Sequence, residues 1–189
     1  MSILVIDNND SFTFNLVQLI EACGVKDFSV IKNTDLAISS VASFSKILIS
    51  PGPGTPQETP NISEVISKYH KCKSILGVCL GHQAIAGFFG AGLVNVPKPF
   101  HGVASKIKIH DSGCKLFSGL PEYFEAGRYH SWVVSEKNFP LCLKITARSE
   151  DGFIMAISHT TYDIHGIQFH PESIMTESGF LIIRNWLKN

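Results

Sequence analysis

The stretch Ser74-Ile75-Leu76-Gly77-Val78-Cys79-Leu80-Gly81-His82-Gln83 leaves the backbone few options. Its apolar opening predicts a strand over Ser74–Val78. The apolar residues that follow occupy nearly every side of a helix over Leu80–Ala91, so that helix is expected to be buried. Cys79 stands at the junction with a glycine two residues to either side, the cysteine counterpart of a nucleophile elbow. The glycines are expected to let the chain turn sharply and to keep other side chains off the sulfur. A helix N-terminus beneath the sulfur would add partial positive charge and free N–H groups, which favour an anionic sulfur. Such a junction needs a sheet whose strands run out toward helix N-termini.

The rest of the chain fits that demand. Ile3–Ile6, Phe28–Lys32 and Lys46–Ser50 read as further core strands, and Phe12–Cys23, Thr34–Ala42 and Asn61–Lys71 as helices between them. Alternation of this kind predicts an α/β fold, with a largely parallel sheet covered on both faces. Strand signals then crowd together at Ser105–His110, Tyr123–Ala126, Trp132–Ser135, Leu143–Arg148, Phe153–His159 and His165–Phe169, before a closing helix over Glu177–Lys188. No repeat, low-complexity stretch or linker interrupts them, so residues 1–189 are expected to form a single domain without room for a second, substrate-binding one.

Composition narrows the function classes. Sixteen Lys and Arg balance sixteen Asp and Glu, with no basic run to track a phosphate backbone, so nucleic acid is not an expected partner. The longest apolar run, Ala84 to Val94, is too short to span a bilayer, and Ile3–Ile6 follows no secretory leader. A soluble cytoplasmic protein without membrane attachment is expected. Five cysteines, odd in number and lacking any C-x-x-C pair, suit a reducing compartment. Cys23, Cys114 and Cys142 read as ordinary small hydrophobes.

A base for Cys79 is offered by Gly166-Ile167-Gln168-Phe169-His170-Pro171-Glu172-Ser173. His170 and Glu172, two residues apart on an extended backbone, would face one side, with Pro171 enforcing the bend. The carboxylate would orient the imidazole, whose other nitrogen exchanges a proton with the thiol. Ser50-Pro51-Gly52-Pro53-Gly54-Thr55-Pro56 follows the third strand and opens at the same sheet edge. Its prolines and glycines build a stiff loop with bare N–H groups, suited to an oxyanion hole, and no Gly-Lys-Ser/Thr ending makes it a phosphate loop. His82 invites a zinc reading, but no Cys/His set has metal-ligand spacing, and it reads as a helix-surface residue.

Taken in order, Ile6-Asp7-Asn8-Asn9-Asp10-Ser11-Phe12, Ser50–Pro56, Gly77–Gln83, Tyr129-His130-Ser131 and Gly166–Ser173 resemble the class I (triad) glutamine amidotransferases over essentially the whole chain. Within them the likeness is to the small glutaminase subunits of anthranilate synthase and aminodeoxychorismate synthase. The resemblance implies a flavodoxin-like three-layer sandwich with a central, mostly parallel sheet. It implies Cys79, His170 and Glu172 as the catalytic triad, acting through a glutamyl thioester. It also implies that Gly52, Pro53, Gly54, Gln83 and the Ser131–Trp132 backbone hold L-glutamine, with Gly54 and Leu80 supplying oxyanion N–H groups. No metal or cofactor is implied in this chain. The implied partner is a synthase subunit that binds chorismate with Mg²⁺, in tryptophan or folate synthesis. Asn9, Val103 and Trp132 stand where these subunits usually have Tyr, Lys and Leu. A hydrolase of the same fold acting on another γ-glutamyl compound, or a non-catalytic subunit, would be the other classes.

Overall fold

In the computed structural model, which describes residues 1–188, the chain forms β1 (Ile3–Asp7), α1 (Thr13–Ala22), β2 (Phe28–Lys32), β3 (Lys46–Ile49), α2 (Pro60–Tyr69), β4 (Ser74–Val78), α3 (Leu80–Phe88), β5 (Leu93–Asn95), β6 (Val103–Ile109), β7 (Tyr123–Arg128), β8 (Trp132–Val134), β9 (Leu143–Ser149), β10 (Ile154–His159), β11 (Ile164–Ile167) and α4 (Gly179–Lys188). Nine strands make one sheet in the order β2-β1-β3-β4-β11-β10-β9-β6-β7, and β5 pairs with β8 in a separate ribbon. The first five strands in that order are parallel neighbours, whereas every pair from β11 to β7 is antiparallel. The parallel half has the strand order of a flavodoxin-like fold.

Strands β1, β3 and β4 are buried along nearly their whole length, because the helices and loops that connect them cover both faces. Two apolar clusters result. Ile3, Val5, Leu48, Leu76, Val78 and Ile167 face α1 and α4, while Leu4, Ile6, Ile47, Ile49, Ile75 and Ile164 face α2 and α3. The alternation along each strand is the pleat itself. Among the described residues no helix is long and apolar enough to cross a membrane.

Two expectations about local structure change. Thr34–Ala42 is not an α-helix. It is two 3₁₀ turns, Asn33–Asp35 and Ile38–Ser43, separated by Leu36 and Ala37 in extended conformation. Ser40 and Ser43 donate their hydroxyls to the carbonyls of Ala37 and Ser40, the local competition that makes serine a poor helix residue. The strand β5 was not expected from the sequence. It forms because Leu93–Asn95 can pair with Val134–Trp132.

Candidate active site

At the end of β4 the backbone of Cys79 has φ 50° and ψ −99°, a left-handed conformation uncommon for a residue with a side chain. Strain of this kind costs about 1–3 kcal/mol and must be held from both sides. The Cys79 N–H donates to the Ile167 carbonyl at 2.8 Å, extending the β4–β11 ladder, and the Cys79 carbonyl accepts the Gln83 N–H at 3.0 Å, starting α3. Gly77 and Gly81 do not carry the turn, since neither has a positive φ. Their role is close approach. A Cβ on Gly77 would lie 2.4 Å from the Gly81 carbonyl, and one on Gly81 would lie 2.5 Å from the Ile49 carbonyl oxygen. The glycines thus let α3 begin pressed against β3 and β4, and the cysteine takes the turn.

His170 lies beyond the end of β11, and it does not meet Glu172 along an extended strand as the sequence suggested. Residues 170–173 form a turn, in which the Ser173 N–H donates to the His170 carbonyl at 3.2 Å. That carbonyl also accepts from the Thr176 hydroxyl at 2.7 Å, while the His170 N–H donates to Gly127 at 3.0 Å. Across the turn His170 Nδ1 stands 2.6 Å from Glu172 Oε1, both side chains being almost wholly buried. The Tyr129 ring packs edge-on against the imidazole at 4.9 Å, with Phe12 behind it. Burial alone would lower the pKa of His170. Hydrogen bonding and charge from Cys79 and Glu172 outweigh it and push the value up to about 10. Nε2 makes no hydrogen bond of good geometry, yet Cys79 is near enough to act on the ring.

The loop after β3 is fastened to the loop after β1. Asn8 Nδ2 donates to the Ser50 carbonyl at 2.9 Å, and the Asn8 N–H donates to the Ser50 hydroxyl at 2.9 Å. Gly52 fits only because it lacks a side chain, since a Cβ there would meet Asn8 at 2.6 Å and Leu80 at 2.8 Å. The loops after β1, β3 and β4 therefore meet at one edge. Gly54 has φ +73°, which suits glycine, and Thr55 with Glu58 forms a capping box on the turn that follows. Pro53 lines a cavity of about 190 Å³ with Asp7, Asn33 and Glu58. Leu80 is the first residue of α3, so its N–H has no acceptor within the helix. Gln83 Nε2 donates to the Trp132 carbonyl at 2.9 Å, tying α3 to β8, and Ser131 gives its carbonyl to the Val96 N–H at 2.8 Å.

His82 is not on the surface. It is fully buried, its Nδ1 within 2.8 Å of where a Gly166 Cβ would stand, and burial, opposed only by the Gly166 backbone, lowers its pKa to about 4. Cys114 is buried as expected, but it also interacts with His165. Desolvation of His165 is outweighed by Asp163 and Cys114, which lift it to about 9. Among the described residues no three His, Cys, Asp or Glu side chains converge as a metal site requires.

One site residue escaped the sequence reading. Gln168 is fully buried, and its Nε2 donates to Cys79 Sγ at 3.5 Å while its Oε1 accepts from Gln83 Nε2 at 3.2 Å. The signal was present: in Gln168-Phe169-His170 a polar residue sits two before the histidine, between apolar neighbours, at the spacing that pointed to Glu172.

Residues 4–189 match the glutamine amidotransferase class-I family. Anthranilate synthase component 2 of Mycobacterium tuberculosis is 45% identical, the match covering 99% of this chain and 82% of the relative. Aminodeoxychorismate synthase component 2 of Klebsiella aerogenes is 43% identical, over 98% of each chain. The crystal structure of a glutamine amidotransferase from Thermotoga maritima superposes with a TM-score of 0.80, over 100% of this chain and 96% of that one, and at 14% identity it shows the fold alone.

Proposed function

The chain belongs to the class-I glutamine amidotransferases, and on that premise we propose that it is the glutaminase subunit of a two-chain, chorismate-using synthase, in which Cys79, His170 and Glu172 release ammonia from L-glutamine. The observation that carries the triad is the buried His170–Glu172 contact of 2.6 Å, on a ring that Cys79 and Glu172 hold as imidazolium. The partner is inferred from the relatives, one named as a component of anthranilate synthase and another as a component of aminodeoxychorismate synthase.

In this mechanism the Cys79 sulfur attacks the side-chain amide carbon of glutamine. The Gly54 and Leu80 N–H groups receive the oxyanion, each donor worth about 2.7–4 kcal/mol in comparable sites. The C–N bond breaks as His170 passes its proton to the departing nitrogen, leaving ammonia and a glutamyl thioester. His170, now neutral, takes a proton from water as the oxygen attacks the thioester, and glutamate leaves. Gly52, Pro53, Gly54 and the Ser131–Trp132 backbone would hold the amino-acid end. With its Nε2 committed to Trp132 and Gln168, Gln83 has its Oε1 left for the substrate ammonium. No step needs a metal from these residues; Mg²⁺ would belong to the synthase.

The test is to purify the chain with its co-purifying synthase and assay it with glutamine, chorismate and Mg²⁺, identifying the aromatic product. Anthranilate places the chain in tryptophan synthesis, aminodeoxychorismate in folate synthesis, and both make it a shared subunit. Cys79→Ser should abolish synthesis from glutamine and leave synthesis from ammonium salts intact. Full glutaminase activity from the lone chain, unchanged by synthase and chorismate, would instead favour a free-standing hydrolase.

A further inference from the structure

We infer that Gln168 is a positioning residue that presents an N–H donor to the Cys79 sulfur, its amide locked in that orientation by Gln83. The inference rests on the proposed role of Cys79 as nucleophile.

An amide side chain can be turned end for end, so the identity of the atom facing sulfur needs an argument beyond distance. Here the chain of contacts supplies it. The Trp132 carbonyl can only accept, so the Gln83 atom 2.9 Å from it is the amide nitrogen. That same nitrogen lies 3.2 Å from the Gln168 amide, and a donor must face an acceptor there, which makes the contacted atom Oε1. The other end of the Gln168 amide, 3.5 Å from Sγ, is then the NH₂ group. A main-chain carbonyl on β8 thus fixes, through two buried glutamines, which polarity meets the nucleophile. Neither amide is free to turn, since Gln168 is fully buried and Gln83 nearly so, and the Gln168 main chain is pinned by its N–H bond to Met155 at 2.9 Å.

A donor at this place does two things for the sulfur. It favours the anion, as hydrogen bonds to a charged form do. It also fixes the side-chain rotamer in a site with little water, so the sulfur does not swing between substrate and solvent. His170 supplies charge and the mobile proton, whereas Gln168 supplies a fixed dipole that takes no part in proton transfer. The relay also joins the sulfur to Trp132, the backbone assigned above to substrate.

The test alkylates Cys79 with iodoacetamide over a range of pH, in wild type, Gln168→Met and Gln168→Glu, with modification at Cys79 read by mass spectrometry. Loss of the donor should raise the pH of half-maximal alkylation by about one unit in Gln168→Met, because the anion loses a hydrogen bond. Gln168→Glu, which keeps the shape and places a carboxylate oxygen at the sulfur, should raise it further and serves alone if the Met variant fails to fold. Glutamine hydrolysis should fall about tenfold in Gln168→Met. A half-maximal pH that stays put or falls in the folded variants overturns the inference, whatever happens to activity, because a purely structural role would leave it unmoved. Alkylation requires no glutamine, so the two readings fail separately. A wild-type chain that hydrolyses no glutamine, with the profile still shifting in Gln168→Met, sinks the glutaminase reading and supports the contact.

Discussion

Replacing Gly81 by alanine should damage both stability and chemistry, by amounts that follow from one contact. The added Cβ would stand 2.5 Å from the Ile49 carbonyl oxygen and 2.9 Å from the Ile49 Cβ, where ordinary contact begins at 3.4 Å. Ile49 is fully buried at the end of the central strand β3, so it cannot yield without moving the sheet. Relief must come from α3, whose first turn has to back away by roughly 1 Å. Overpacking of this size costs about 1–3 kcal/mol, which in a chain this long lowers Tm by about 2–12 °C. The same retreat carries the Leu80 N–H and the Cys79 backbone with it, and a displacement of about 1 Å at a reacting group can cost about 100-fold in rate. Gly87→Ala is the control within the same helix: nothing lies within 4 Å of its Cβ position, so alanine there should stabilise by about 0.5–1 kcal/mol through helix propensity. Thermal melts and glutamine hydrolysis on both variants decide the matter. Gly81→Ala matching wild type in melting and turnover would refute the claim that close approach is the reason for the glycine.

Glu172→Gln removes one of the two groups that hold up His170, and glutamine hydrolysis should fall about 10- to 100-fold, the range for losing a hydrogen bond to a charged group; an unchanged kcat would show that the carboxylate does not orient the ring. The raised His170 value also predicts a pH signature in stability. A pKa lifted from 6.5 to about 10 stabilises the fold fully below pH 6.5 and loses that contribution as pH climbs toward 10. The deficit of Glu172→Gln in urea denaturation should therefore be largest near the lower end of that window and shrink toward the upper, and a deficit that grows with pH would contradict it. A glutamine-like diazo-ketone should label Cys79 before Cys114, although Cys114 also lies against a histidine, because Cys114 is packed in the core beneath α4; peptide mapping that found Cys114 first would reverse the assignment.

The sequence disclosed most where residue chemistry and backbone need coincide. β2 and β4 were legible to the residue, since β-branched runs bounded by polar residues have few other uses. The elbow was legible too, although its physical reason was not: φ at Cys79 is strained and the glycines serve packing, which only the neighbouring strand β3 makes visible. Thr34–Ala42 misled because its apolar spacing resembles a helix while its serines bond their own carbonyls. His82 was misplaced because a polar residue on a helix is ordinarily solvated, whereas α3 is enclosed between the sheet, α2 and β8. Gln168 carried a pattern but no distinct chemistry, and its value depends on Gln83, a residue 85 positions away that only the fold brings beside it.

The place of β11 has a bearing on how such a chain is made. It is the last sheet strand among the described residues, yet it lies in the middle of the sheet, between β4 and β10. During synthesis the parallel strands β2-β1-β3-β4 and the antiparallel strands β10-β9-β6-β7 can each pair internally, but β4 and β10 remain open edges until residues 164–167 leave the ribosome. The four residues that weld the two halves also lead directly to His170, so the seam closes and the histidine reaches Cys79 in one event. A nascent or half-folded chain therefore holds an exposed cysteine but no base, and it cannot squander glutamine before the fold is complete.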